Sequence, residues 1–243
     1  MDLGLNGKRA IITGAASGLG AACCKTLAGE GVELAMLDIC KPDYEVETKS
    51  IYFPIDLSDL ESVEATTKNI VEQFGQMDIL IICAGTWPTR FVADMPTAEW
   101  IKTMDINMTS AFILCRDFVK HCIENSREGV ILNVTSQAAF GGATSGHAHY
   151  AAAKAAMVNF TRSLARETGE NNIRVNALAP GMMKTAMAKE AIEDRLEQYI
   201  ERIPLGRIAD PSELADVAAF LVSCKNRYMT GATISVSGGM LMH

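Results

Sequence analysis

Seven short apolar runs recur along this 243-residue chain, at 8–13, 32–37, 51–55, 78–82, 129–135, 172–178 and 232–236. Stretches with helical patterning separate most of them, at 21–31, 58–74, 97–125, from Tyr150 onward, and at 211–223. Ser58 is a plausible N-cap for the second of these, because its hydroxyl can accept from a free first-turn N–H. A strand that returns through a helix lies parallel to its predecessor, and helices so placed cover both faces of the sheet. The expectation is an α/β fold, a doubly wound parallel sheet of about seven strands. A hydrophobic fraction of 49% can fill such a core. No linker, low-complexity tract or internal repeat divides the chain, so a single domain over 1–243 is expected.

Position decides what the first glycine cluster means. Residues 13–20 read TGAASGLG and lie between the first strand and the first helix. Gly14, Gly18 and Gly20 allow a tight turn and a close backbone approach, and the helix N-terminus presents free N–H groups to an anion such as a pyrophosphate. An ordinary strand-to-helix loop is the plain alternative, and the strand–turn–helix context weighs against it. The second strand ends at Asp38, about 20 residues past the glycines. A carboxylate there accepts hydrogen bonds from an adenosine ribose diol and repels a 2′-phosphate, which favours NAD over NADP.

Tyr150 and Lys154 open an Ala-rich run, AAAKAAMVNFTRSLARE. Four residues apart on a helix, their side chains share one face. A phenol with a pKa of about 10 is a poor base at neutral pH, and a nearby cation favours the phenolate. A Tyr tuned in this way exchanges a proton with an alcohol or a carbonyl oxygen. A surface pair has the same spacing, so the reading rests on its company. Gly14, Asp38, Asp56, Gly85, Ser136 and Pro180 each sit just after an expected strand. Ligands of open α/β sheets bind at the carboxyl ends of the strands, so these positions describe one long cleft able to hold a dinucleotide.

Taken together, these motifs resemble the short-chain dehydrogenase/reductase (SDR) family over nearly the whole chain. The match runs through TGAASGLG, Asp38, Asp56-Leu57, Cys83-Ala84-Gly85, Asn107, Ser136, Tyr150-x-x-x-Lys154, Pro180-Gly181 and Thr185. The resemblance implies a Rossmann-type fold, a bound NAD or NADP, and hydride transfer between nicotinamide and a secondary alcohol or ketone. It assigns catalysis to Asn107, Ser136, Tyr150 and Lys154. It assigns cofactor binding to Gly14, Ser17, Gly18, Leu19 and Gly20, to Asp38 and Ile39, and to Asp56 and Leu57. Cys83, Ala84, Gly85, Tyr150, Lys154, Pro180, Gly181, Met183 and Thr185 complete that set. Residues 184–205 become a substrate lid on a single dinucleotide-binding catalytic domain, 1–243. A homotetramer or homodimer is implied, with the Tyr150 helix and the 97–125 helix between subunits.

In the mechanism that the resemblance implies, Tyr150 takes the alcohol proton in oxidation and donates it in reduction. Lys154 lowers the Tyr150 pKa and holds the nicotinamide ribose. Ser136 hydrogen-bonds the substrate oxygen, and Asn107 places a water between Lys154 and solvent. Ser136, Gln137, His147 and Trp87 are candidate substrate contacts. His149 and Arg90 lie nearby in the sequence, and Trp87 with Arg90 would suit an aromatic or anionic substrate. Two departures stand out. The family usually carries Asn-Asn-Ala-Gly after the fourth strand, whereas this chain has Ile82-Cys83-Ala84-Gly85 and lacks an amide that ties strand ends together. Ser136 and Tyr150 are also 14 positions apart, a slightly long interval.

Composition narrows the partners. The chain carries 22 basic and 29 acidic residues, a net charge of −7, with no basic run. That argues against nucleic acid as a partner. The apolar stretches are far too short to span a bilayer, and the N-terminus lacks a basic-then-apolar signal. A cytoplasmic protein is therefore expected. The seven cysteines show no CxxC spacing and read as reduced, buried thiols. The four histidines show no ligand spacing with them, so no metal is expected. Two alternatives stand beside an NAD-dependent dehydrogenase: an NADP-dependent carbonyl or 3-oxoacyl reductase, and a catalytically silent dinucleotide-binding regulatory protein. Asp38 speaks against the first, and the set Ser136, Tyr150 and Lys154 against the second.

Overall fold

The computed structural model describes residues 2–142 and 146–242. Residues 143–145, in the glycine-rich loop before Tyr150, lie outside the described residues. The strands are β1 (Arg9–Thr13), β2 (Glu33–Asp38), β3 (Ser50–Pro54), β4 (Ile79–Ile82), β5 (Gly129–Val134), β6 (Ile173–Pro180) and β7 (Thr233–Val236). They form one sheet in the order β3-β2-β1-β4-β5-β6-β7, and every neighbouring pair is parallel. The helices are α1 (Gly18–Gly29), α2 (Leu60–Phe74), α3 (Thr97–Met104), α4 (Ser110–Glu124), α5 (Ala138–Gly141), α6 (Ala148–Thr168), α7 (Lys189–Glu201) and α8 (Pro211–Val222).

Successive strand side chains point to opposite faces, and both faces are apolar. Ile11, Ala35, Leu37, Leu80 and Ile82 pack with Val63 and Ile70 of α2, Leu114 and Phe118 of α4, and Met157 of α6. Ala10, Ile12, Leu34, Met36, Ile79 and Ile81 pack with Leu19 and Leu27 of α1 and with Leu214 and Ala218 of α8. Fully burying a Leu, Ile or Phe side chain contributes roughly 1.5–3 kcal/mol. Two such layers explain why the strands read as continuous apolar runs rather than alternating ones. Strand order grows outward in both directions from the β1–β4 pair. A crevice opens at that switch point, at the carboxyl ends of the strands.

The structure departs from the sequence reading in four places. Helix α2 begins at Leu60 and not at Ser58; its cap is Asp59, which accepts from the Ser62 N–H at 3.1 Å. Ser58 is already held, because Asp56 Oδ1 accepts from both its N–H and its hydroxyl at 2.8 Å. The expected 97–125 helix is two α-helices joined through a π-helical turn, Asp105–Thr109. A short helix, α5, follows Gln137. Within the 184–205 stretch, for which no helix was expected, α7 spans Lys189–Glu201, with a break at Arg195. Among the cysteines, Cys40 is exposed and Cys83 and Cys224 are half-buried, while the other four are buried; all seven are free thiols. Among the described residues, no helix is long and apolar enough to cross a membrane.

Candidate active site

The turn from β1 into α1 leaves no room for side chains. Gly14 and Gly18 have φ of +70° and +55°, in the left-handed region that disfavours a Cβ. A Cβ on Gly14 would lie 3.0 Å from the Ala84 backbone, and one on Gly20 would overlap the Gly14 carbonyl. Helix α1 has no side-chain cap at Ser17 and no acidic residue in its first turn. Its first N–H groups are thus left to an external acceptor, and the positive end of the helix favours an anion. This cradle fits a dinucleotide diphosphate.

A cleft of about 540 Å³ runs from this turn across the strand ends. Every residue assigned above to cofactor binding lines it, among them Asp38, Ile39, Asp56 and Leu57, Pro180, Gly181 and Met183, and Thr185, which sits over Gly18. Asp38 is held in place by accepting from Ala16 N–H at 2.9 Å and Cys40 N–H at 3.1 Å. Asp56 is kept below the usual carboxylate range by its bonds from Ser58.

The strand ends of β1 and β4 are tied by a hydroxyl. Thr13 Oγ1 accepts from the N–H groups of Cys83 and Ala84 at 3.1 and 3.0 Å. Thr13 stood inside the glycine motif, but its partners lie 70 positions away, and no local pattern announces them. Cys83 lines the cleft. Its side-chain hydrogen bond to Cys23, together with burial, pushes the Cys23 thiol well above its ordinary range.

Three side chains from two elements converge at the far end of β5. Ser136 follows that strand and lines the cleft together with Tyr150 and Lys154 of α6. Lys154 Nζ donates to the Val134 carbonyl at 2.9 Å and lies 5.8 Å from the Tyr150 ring centre. Burial lowers the Lys154 pKa to about 8, with Cys83 acting weakly in the other direction. Burial also raises the Tyr150 pKa, against the opposing effect of a hydrogen bond with Ser136. The expected depression of the Tyr150 pKa by Lys154 is therefore not seen in the protein alone: the amine is turned to Val134, and desolvation of the phenol dominates.

Asn107 does not line the cleft. It is 1% exposed, and its Nδ2 donates to Thr103 O at 2.9 Å and Thr86 O at 3.1 Å while Oδ1 accepts from Thr86 N–H at 3.2 Å. The π-helical turn directs it there. A Cβ on Gly85 would lie 2.7 Å from Asn107 Oδ1 and 3.5 Å from Lys154 Nζ, so the absent side chain of Gly85 leaves open the space beside both residues.

The candidate substrate contacts divide. Gln137 and Trp87 line the cleft. His147 stands behind it, its ring stacked on Trp87 at 4.5 Å and its Nδ1 2.9 Å from Pro88 O. Trp87 in turn lies 6.3 Å from the Tyr150 ring. Arg90 is engaged by Glu99 at 3.1 Å and does not line the cleft. His149 is fully buried 3.7 Å from the same Glu99. Tyr199 and Arg202, inside the 184–205 stretch expected to form the lid, also line the cleft, as do Met182 and Met240.

A doubly wound parallel sheet with a diphosphate cradle, and a Ser, a Tyr and a Lys gathered at the other end of one cleft, defines a nicotinamide-dependent oxidoreductase. Comparison with known proteins narrows the class. A family profile described as enoyl-(acyl carrier protein) reductase matches residues 14–241. The chain is 35% identical to the 3-oxoacyl-[acyl-carrier-protein] reductase FabG of Vibrio cholerae, over 99% of this chain and 100% of that one. Among solved structures it resembles L-sorbose reductase from Gluconobacter frateurii, complexed with NADPH and L-sorbose, with a TM-score of 0.91, 29% identity and full coverage of both chains. It also resembles a protein assigned as an NAD(P) dependent gluconate 5-dehydrogenase of Beutenbergia cavernae with bound NADP, with a TM-score of 0.93, 29% identity and 99% of both chains covered. The chain belongs to the short-chain dehydrogenase/reductase family, and it is an oxidoreductase acting on CH–OH or keto groups.

Proposed function

We propose that this protein is an NAD-dependent dehydrogenase/reductase that interconverts a secondary alcohol and its ketone within one catalytic domain, 1–243. The observation that carries this reading is the meeting of Ser136, Tyr150 and Lys154 in the cleft that begins at the glycine cradle. A bound nicotinamide supplies the hydride chemistry. The chain supplies position and proton transfer. Tyr150 gives its phenolic proton to the ketone oxygen in reduction and recovers it from the alcohol in oxidation. Ser136 steadies the charge that develops on that oxygen. Lys154 holds the nicotinamide ribose, and Asn107, fixed from both ends of its amide, positions the water that connects Lys154 to solvent.

Asp38 supports NAD. Its carboxylate, oriented by Ala16 and Cys40, lines the end of the cleft where an adenosine ribose would lie, and it would repel a 2′-phosphate. A second reading, an NADP-dependent 3-oxoacyl reductase, is favoured by the 35% identity to FabG and by the NADP and NADPH in related structures. Titration of the protein with each reduced dinucleotide separates the two. NADH binding at least about tenfold tighter supports the first reading; tighter NADPH binding replaces it with the second. A silent regulatory protein would bind a dinucleotide and oxidise none across a panel of secondary alcohols and ketones.

Three further elements belong to this reading. Residues 184–205, including α7, act as the lid over the substrate. Helices α4 and α6 form the subunit contact of a homotetramer or homodimer, supported by the exposed Phe112 of α4 and its edge contact with Phe160 of α6. The enzyme works in the cytoplasm.

A further inference from the structure

The cleft continues past Tyr150, beyond the ends of β5, β6 and β7. Its walls there come from Met182, Met187, Tyr199, Met240 and Leu241, with Trp87 opposite. Three thioethers and two aromatic rings make an adaptable apolar surface. Arg202 stands at the rim of this region. It is exposed, lines the cleft, and follows α7 with its N–H bonded to Tyr199 O at 3.1 Å. Among the described residues its guanidinium has no ion pair and no hydrogen-bond acceptor. Arg90, the other cation near the loop after β4, is neutralised by Glu99. An apolar chamber with one unpaired cation at its edge suits one kind of molecule.

We propose that the substrate is an amphipathic hydroxy or oxo acid: an apolar body bearing the reacting carbinol or ketone, with a carboxylate that pairs with Arg202. The inference rests on the dehydrogenase reading of the same site. A polyol is a poor fit, because its buried hydroxyl groups need partners. Among the described residues of the walls named above, only Trp87, Tyr199 and Arg202 carry polar side-chain groups, too few to partner every hydroxyl of a polyol. A fatty alcohol without charge would fill the chamber and leave Arg202 unused. The guanidinium is a planar five-donor fork matched to a carboxylate, and a partly desolvated pair at a cleft edge discriminates acid from ester.

Steady-state kinetics on the intact enzyme test this. The probes are 3-hydroxyoctanoate, 7-hydroxyoctanoate, their methyl esters, and sorbitol, each with NAD and with NADP. At least one acid is expected to show kcat/KM about tenfold or more above its own ester, with sorbitol slowest. In Arg202→Gln that ratio falls to within about twofold of unity, mainly through KM, while Arg202→Lys retains most of it. Esters used as well as acids, sorbitol preferred over both, or an acid preference that survives Arg202→Gln would each overturn the inference and leave the dehydrogenase reading standing. No turnover of these compounds, with turnover of another secondary alcohol or ketone of the wider panel, would overturn the inference alone; no turnover anywhere in that panel with either dinucleotide would remove both.

Discussion

The amine of Lys154 donates to the carbonyl of Val134 across 2.9 Å, two residues before Ser136, and Thr135 Oγ1 donates to the Lys154 carbonyl at 2.8 Å, so both ends of this lysine fasten α6 to the end of β5. It registers the helix that carries Tyr150 against the strand that carries Ser136. The same placement takes an ammonium group out of water, and burial lowers its pKa from 10.5 to about 8.

That shift makes stability depend on pH in a defined direction. Between about pH 8 and 10.5 the unfolded chain keeps the Lys154 proton while the folded chain gives it up. The unfolded state then binds more protons, so stability rises with pH. Lys154→Met removes this term. The variant is expected to unfold at higher denaturant than the wild type at pH 7, and the difference should shrink by on the order of 3 kcal/mol by pH 10.5. Urea titrations of the two proteins at both pH values give the number; a gap that does not move with pH would show that the amine is not desolvated. Loss of turnover in the more stable variant would mark the residue as one kept for function.

Thr13 ties the Cys83-Ala84 strand end to the end of β1. Thr13→Val keeps the shape and leaves the N–H groups of Cys83 and Ala84 without an acceptor, at a cost of about 2 kcal/mol or more in stability. Thr13→Ser should retain most of that stability. Dinucleotide affinity should fall in the Val variant as well, because Cys83 and Ala84 line the cleft. Equal melting temperatures for the Val and Ser variants would contradict this account of the strand ends.

Asp38 carries the choice between dinucleotides. Asp38→Ala removes the acceptors for the ribose diol and the charge that repels a 2′-phosphate. The ratio of NADH to NADPH affinity should fall at least about tenfold, read by fluorescence titration. An unchanged ratio would mean that another part of the cleft makes the distinction.

The parts of this protein legible in its sequence are the ones encoded locally. The glycine turn needs Gly14, Gly18 and Gly20 within a few positions of one another, and Tyr150 and Lys154 are one helical turn apart. The inner residues of β1 and β2 are apolar without alternation because both faces are covered. Contacts between distant segments left no such trace. Thr13 meets Cys83, and Gly85 leaves space beside Asn107 and Lys154, only after the sheet has assembled. The π-helical turn at Asp105–Thr109 interrupts a stretch whose side-chain pattern reads as one helix. At α2, two adjacent capping residues competed, and Asp56 decided the outcome by holding Ser58. Arg202 and Met240 reach the same chamber from opposite ends of a long excursion, which no spacing rule describes.

The central claim is that Tyr150 transfers the proton. Turnover of Tyr150→Phe, measured by NADH absorbance against the best alcohol or ketone of a panel, tests it most directly. The variant should lose roughly 10²–10⁴-fold in kcat/KM while binding the dinucleotide within a few-fold of the wild type. A variant that turned over at the wild-type rate would show that the phenol of Tyr150 is not the acid or base of this reaction.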